Sequence, residues 1–396
     1  MRIFFISNYF PGDLGPLARE LAAAPENEVL FASNRQRKGF ALPGVRRVRL
    51  KNAPLFGDAP PTVPVLWEET LRRGSCGLRS LLALRDSWGA PDIIFASIAG
   101  GAGFFAPQAF PGSFLAAYAE NGLKNFSLLP SEGRAAWLLL QSALFLQADL
   151  CFAWSERQRH LFPRQLRGDI HLVAPSVDTE VFSRAAAQPW FEGEGDDAGG
   201  VKGAGRLLTL DATGLDGEAL AALLRLGHAV LRELPDCHVV MLTENGRLRE
   251  ALEAATASWP EGCRQRFAAY NSLPFERYRD LLAASSLVVS PGHGDAAERA
   301  MLECMSCEAL LMARPATANF LRSGVNMLEL PDDPLPAVLA ALESRPRDGA
   351  ASREPAPQAR MARRNVLTHF SEAIVVPRHL AEVMRALAAW KKERVA

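Results

Sequence analysis

The chain is built from short apolar runs, each followed by a turn rich in Gly, Pro or Ser and then by a stretch with helical spacing. Ile3–Ile6, Val29–Ala32, Ile93–Ala96, Val239–Leu242 and Leu287–Val289 are such runs. An unbroken apolar segment of this length, bounded by turn residues, fits a strand buried on both faces. Strands predicted in this way cover 3–6, 27–32, 45–50, 91–97, 114–121, 148–155 and 170–173. A second series covers 207–210, 237–242, 264–267, 287–290 and 310–313. Between them, apolar residues recur with helical period after Leu17, over 78–88, 131–147 and 218–233, near Tyr278–Leu282, and through Met301–Met305. Two closing helices cover 359–368 and 372–393. Strands alternating with helices imply parallel sheets with helices on both faces.

The alternation breaks once. Residues 183–205 combine Ala, Gly and acids without apolar periodicity, which is the signature of a linker. With 396 residues, the chain exceeds what one core organises. The expected architecture is α/β: two doubly wound Rossmann-like domains facing across a cleft. They would be 1–182 and 206–375, followed by a last helix, 376–396. Loops are expected over 51–65 and 343–357.

Composition narrows the function classes. Lys plus Arg and Asp plus Glu number 44 each, so no global field draws the chain to nucleic acid or an anionic membrane. The six cysteines have no disulfide-framework spacing, which points to reduced thiols and a cytoplasmic setting. Cys304-x-x-Cys307 sits in an apolar helical stretch without a second pair, and reads as two buried thiols rather than a metal site. The amino terminus opens directly on a strand, so no signal peptide is expected. No apolar run reaches the ~20 residues of a membrane span.

The stretch richest in chemistry is 287–314. A buried strand runs into Pro291–Gly292–His293–Gly294–Asp295 and then a helix carrying Met301–Leu302–Glu303–Cys304–Met305–Ser306–Cys307. A glycine turn between a strand's carboxyl end and a helix lets backbone approach a phosphate. This order resembles the donor site of the retaining glycosyltransferases of GT-B fold, the group 1 or family 4-like enzymes that include sucrose and glycogen synthases. In that family an E-x7-E pair faces the sugar and holds the nucleotide ribose. The resemblance gives Glu303 the ribose and Asp295, which stands where relatives carry Glu, the sugar. Gly292, His293, Gly294 and Ala296 would form the donor loop. Asp295-x-x-Glu298 also fits a capping box, in which the Asp side chain accepts helix N–H groups.

The resemblance extends along the chain, and it implies that the last helix, 376–396, packs back on the first domain. Pro175–Ser176–Val177–Asp178–Thr179–Glu180–Val181–Phe182 is similar to the family's NGVDTxxF segment, with Ser176 in place of Gly. The turn holding Gly12 and Gly15 matches the acceptor loop, although a tight strand-to-helix turn alone accounts for both glycines. Ser97 and Gly100 open a second glycine-rich loop, where relatives carry His and Glu and this chain has Ser97 and Ala102. Glu120 follows a predicted strand where relatives keep a glutamate, and is either an acceptor contact or a solvated loop residue.

One departure bears on the chemistry. The family sets Arg and Lys after the first strand of its second domain, to meet the departing diphosphate. Here Asp211–Glu218 carries three acids and no base, and Arg206 precedes the strand. The resemblance implies a retaining, metal-independent transferase with a nucleotide sugar as substrate and no cofactor. Its acceptor would be a saccharide, lipid or protein. It implies no nucleic-acid partner and leaves peripheral membrane contact open. The alternative is a decayed GT-B chain acting as a binding or partner subunit; a sugar-nucleotide epimerase would need the same anion site and gains nothing.

Overall fold

The computed structural model describes residues 1–36, 41–50, 63–97, 101, 103–119, 131–187, 205–213, 215, 217–243, 252, 254–271, 273–315, 318–345 and 354–395. The chain divides into two compact units, Met1–Pro175 with Ala373–Ala396, and Ser176–Glu372.

The first unit holds strands β1 (Arg2–Phe10), β2 (Glu28–Gln36), β3 (Val45–Arg49), β4 (Ile93–Ser97), β5 (Phe114–Tyr118), β6 (Leu150–Ala153) and β7 (Ile170–Leu172). They form one parallel sheet in the order β3-β2-β1-β4-β5-β6-β7. Its helical segments are α1 (Gly15–Ala22), α2 (Val63–Trp88), α3 (Ala106–Ala109), α4 (Ser131–Phe145), α5 (Glu156–Leu161) and α6 (Arg164–Arg167). Strand periodicity sorts the core into two layers. Phe4, Ile6, Ile94 and Leu115 meet Leu81 of α2 and Leu144 of α4. Ile3, Phe5, Phe95 and Tyr118 meet Leu17 of α1 on the other face.

The second unit repeats the plan with β8 (Arg206–Asp211), β9 (Cys237–Leu242), β10 (Phe267–Tyr270), β11 (Leu287–Ser290), β12 (Leu311–Ala313) and β13 (Leu328–Glu329). Their order is β10-β9-β8-β11-β12-β13, again all parallel. Its helices are α7 (Gly217–Glu233), α8 (Glu261–Arg264), α9 (Phe275–Ala284), α10 (Asp295–Ser306), α11 (Leu335–Glu343) and α12 (Pro357–His369). In both sheets the connections reverse direction beside the first strand, between β1 and β4 and between β8 and β11. Such switch points open a crevice at the strands' carboxyl ends.

The last helix, α13 (Glu372–Val395), belongs to the first unit after its opening residue. It buries Val375, Val376, Val383 and Leu387 in the layer that holds Phe5 and Phe95. Trp390 meets Phe114 edge to face at 5.7 Å, and His379 Nε2 lies 2.7 Å from the Tyr118 hydroxyl. Burial pushes the His379 imidazole down to about 4 and the Tyr118 phenol well above its ordinary value, so both are neutral near pH 7.

Several boundaries differ from the sequence reading. Helix α2 begins at Val63, inside the loop expected over 51–65; 51–62 lie outside the described residues. The second unit begins at Ser176 rather than after 182, because Val177 and Phe182 join its core and Ser306 Oγ donates to the Phe182 carbonyl. Of the expected linker, 188–204 lie outside the described residues. The strand expected at 264–267 is displaced to Phe267–Tyr270, since Glu261–Arg264 form a helical turn. Strand β13 and helix α11 were not anticipated.

Candidate functional site

The second unit's switch point is tied by one carboxylate. Asp211, the last residue of β8, is buried, and its Oδ1 accepts from the Thr213 backbone N–H at 3.0 Å. Its Oδ2 accepts from the hydroxyl of Ser290, the last residue of β11, at 2.8 Å. The acid that the sequence reading set against a bound diphosphate therefore bridges the ends of two neighbouring strands. Glu218 is exposed on α7, and Asp216 lies outside the described residues. One guanidinium nitrogen of Arg206 donates to both carboxylate oxygens of Asp236, at 2.8 and 2.9 Å, at the amino end of β8 and away from the crevice.

The loop from β11 to α10 comes close to this tie. A Cβ on Gly292 would stand 2.3 Å from the Thr213 carbonyl oxygen, so only glycine fits the approach as it stands. Gly294 has φ +113° and is the N-cap of α10, and as a glycine it makes no side-chain cap bond. The capping-box reading is thereby corrected. Asp295 is the first helical residue rather than the cap, because Gly294 adopts a backbone that side chains disfavour. The Asp295 side chain lies outside the described residues, and His293 is exposed.

Beside this loop lies a cavity of about 260 Å³. One wall consists of strand ends, Asp211, Thr213, Thr243 and Asn271, with the Thr243 hydroxyl donating to Asn271 Oδ1 at 3.0 Å. The opposite wall is one face of α10: Ala296, Arg299, Ala300 and Glu303. Tyr278 of α9 also lines it and hydrogen-bonds the Glu303 side chain. Burial first, then the charges of Glu303 and Asp211, push the Tyr278 phenol well above its ordinary value, so it stays a donor to that carboxylate. The wall of hydroxyls, amide and carboxylates suits a polyhydroxylated ligand, and Arg299 adds a cation.

The cavity thus unites Glu303 and Ala296, and Gly292, His293 and Gly294 stand in the loop that leads into α10. Ser176 is half-buried at the start of the second unit and is not among the lining residues. Sequence reasoning gave no site role to Thr243, Asn271 or Tyr278. For the first two a signal existed, a polar residue directly after a buried strand's carboxyl end. Cys304 and Cys307 are buried, and burial first pushes both thiols up.

In the first unit Gly12 and Gly15 follow β1, and Ser97 ends the neighbouring β4, where it is buried. Gly12 has φ +52°, and a Cβ on Gly15 would stand 2.5 Å from Pro11 Cβ. The turn itself requires both glycines. Gly100 and Glu120 lie outside the described residues.

Two parallel-sheet units of this order define a GT-B fold. The model of the glycosyl transferase family 4 group matches residues 25–125. No curated protein sequence matches the chain. Among solved structures, sucrose-phosphate synthase from Thermosynechococcus elongatus is similar with TM-score 0.67 and 14% identity, over 98% of this chain and 99% of that one. Anabaena HepE in complex with UDP-glucose gives 0.62 and 14%, over 98% and 100%. The catalytic domain of starch synthase IV from Arabidopsis thaliana, bound to ADP and acarbose, gives 0.62 and 12%, over 98% and 99%. At these identities the likeness establishes the fold. Among the described residues, no helix is long and apolar enough to cross a membrane.

Proposed function

We propose that the chain is a glycosyltransferase that moves a sugar from a nucleotide-sugar donor to a saccharide, lipid or protein acceptor, with retention and without a required metal. The observation that carries this reading is the cavity at the second unit's switch point. There Glu303, in the position that the family resemblance gives to the ribose, is oriented by Tyr278. The nucleotide and nucleotide-sugar complexes of HepE and starch synthase IV support it by analogy of fold.

In such a transfer the bond from the anomeric carbon to the phosphate oxygen breaks, and its electron pair stays on the diphosphate. The acceptor oxygen bonds to the anomeric carbon on the same face, and its proton passes to the departing phosphate. The amino end of α10, where the N-cap is a glycine without a side chain, offers backbone N–H groups to that growing charge. Asp295 as the sugar-facing acid belongs to this proposal. So do Glu120, Gly12, Gly15, Ser97 and Gly100 on the acceptor side.

The test is calorimetric titration of the full chain with UDP, GDP, ADP and their glucose conjugates, followed by product analysis with the donor that binds. Micromolar binding of one nucleotide and slow hydrolysis or transfer of its sugar are expected. Silence across the panel would leave the partner-subunit alternative in its place.

A further inference from the structure

Resting on the donor-site reading, we infer that Arg299 is the cation that receives the leaving diphosphate, in place of the basic residues missing after β8. Residues 207–220 contain neither Arg nor Lys, so the loop that carries this charge in the resembling family has none to offer. Among the described residues lining the cavity, Arg299 is the one with a permanent positive charge.

Its placement follows from helix geometry. Ala296, Arg299, Ala300 and Glu303 are spaced i, i+3, i+4 and i+7, so they form a single stripe on α10, and all four line the cavity. Ala300 alone stands between the two charged side chains on this stripe, and Ala296 adds no bulk on the other side of Arg299. At 1.5 Å per residue, Arg299 sits about 6 Å nearer the amino end of the helix than Glu303. A nucleotide whose ribose meets Glu303 would extend its phosphates past Arg299 toward the start of α10, where Gly294 is the N-cap. The ribose partner, the cation and the helix's positive end then lie in the order in which a nucleoside diphosphate presents ribose, phosphates and sugar.

Both oxygens of Asp211 accept hydrogen bonds, from Thr213 N–H and the Ser290 hydroxyl, and the Tyr278 phenol is held neutral, so among the described lining residues Arg299 is the cation set against the carboxylates of Asp211 and Glu303. A guanidinium suits a phosphate because its planar fork makes two parallel hydrogen bonds. When the bond to the sugar breaks, the electron pair left on the diphosphate is stabilised by a charge already fixed in place.

Titrations of wild type, Arg299→Gln and Arg299→Lys with the nucleoside diphosphate that binds, and with its parent nucleoside, test the assignment at several salt concentrations. Arg299→Gln should weaken diphosphate binding about ten- to a hundredfold, flatten its salt dependence and leave nucleoside binding unchanged. Arg299→Lys should recover part of the loss. A Gln variant that keeps both the diphosphate preference and the salt dependence overturns the assignment while the donor-site reading stands. A wild type that binds none of UDP, GDP or ADP removes the donor-site reading itself, and this role with it.

Discussion

Replacing Gly292 with Ala tests how closely the two loops of the second switch point meet. The new methyl would stand 2.3 Å from the Thr213 carbonyl oxygen, where ordinary contact begins near 3.4 Å. The loops must therefore part by about 1 Å. Neither yields easily. Thr213 N–H is held by Asp211, Asp211 is held by Ser290, and β8 is flanked by β9 and β11. Gly292 lacks a positive φ, so the effect is steric and not one of backbone strain. Overpacking of this kind costs about 1–3 kcal/mol. At about 2–4 °C per kcal/mol for a domain of this size, the melting midpoint should fall by several degrees. A displacement of about 1 Å in the walls of a binding site also weakens binding and turnover strongly. Thermal melts and nucleotide titrations read the two effects, with Gly168→Ala as the control, since nothing lies within 4 Å of a Cβ there. If Gly292→Ala melts and binds like that control, the close approach is not a feature of the folded protein.

Three further outcomes are expected. Glu303→Gln should weaken nucleotide binding about ten- to a hundredfold with little change in melting temperature, because a charge-assisted hydrogen bond is worth about 1.5–3 kcal/mol; a large drop in melting temperature with unchanged affinity would mark Glu303 as structural. His379, at about 4 in the folded chain against about 6.5 unfolded, binds more protons when unfolded, so its contribution is complete above about pH 6.5 and is lost as pH falls toward 4. The total is roughly 3 kcal/mol. Urea denaturation at pH 7 and 5 should show a smaller pH effect in His379→Phe than in wild type, where Tyr118 faces His379 and Glu382 lies on the same helix; equal pH effects would contradict it. Asp236→Asn should cost about 3 kcal/mol by leaving the buried Arg206 without its carboxylate, and a melt within a degree of wild type would count against that.

The interior strands were legible because sheets covered on both faces need unbroken apolar runs, and Ile93–Ser97 and Leu287–Ser290 supply them. Edges were not. Strand β10 is only half-buried, β13 has two residues, and the first half of α2 leaves Val65, Trp67 and Leu71 exposed, which blurs its period. Glu303 was readable from its motif, whereas Thr243 and Asn271 are single polar residues 28 positions apart, brought together only by the pairing of β9 with β10. The Asp295 cap failed for a local reason, since the preceding glycine takes the cap by adopting a positive φ. The tie at Asp211 was not legible because one of its two donors, the Ser290 hydroxyl, stands at the end of another strand 79 positions away.

The return of α13 to the first unit has a consequence for the order in which the chain is made. A ribosome that has released Met1–Pro175 has not yet made Val383 or Leu387, and the layer around Phe5 and Tyr118 waits for the whole second unit to be synthesised. The Tyr118–His379 bond closes a span of 261 residues, a late and entropically costly contact. During that interval the nascent first unit carries an uncovered apolar strip, a natural target for chaperones. A peptide spanning Ala373–Ala396, added in trans to a chain that stops at Glu372, should bind that strip, and a titration showing no binding would contradict this.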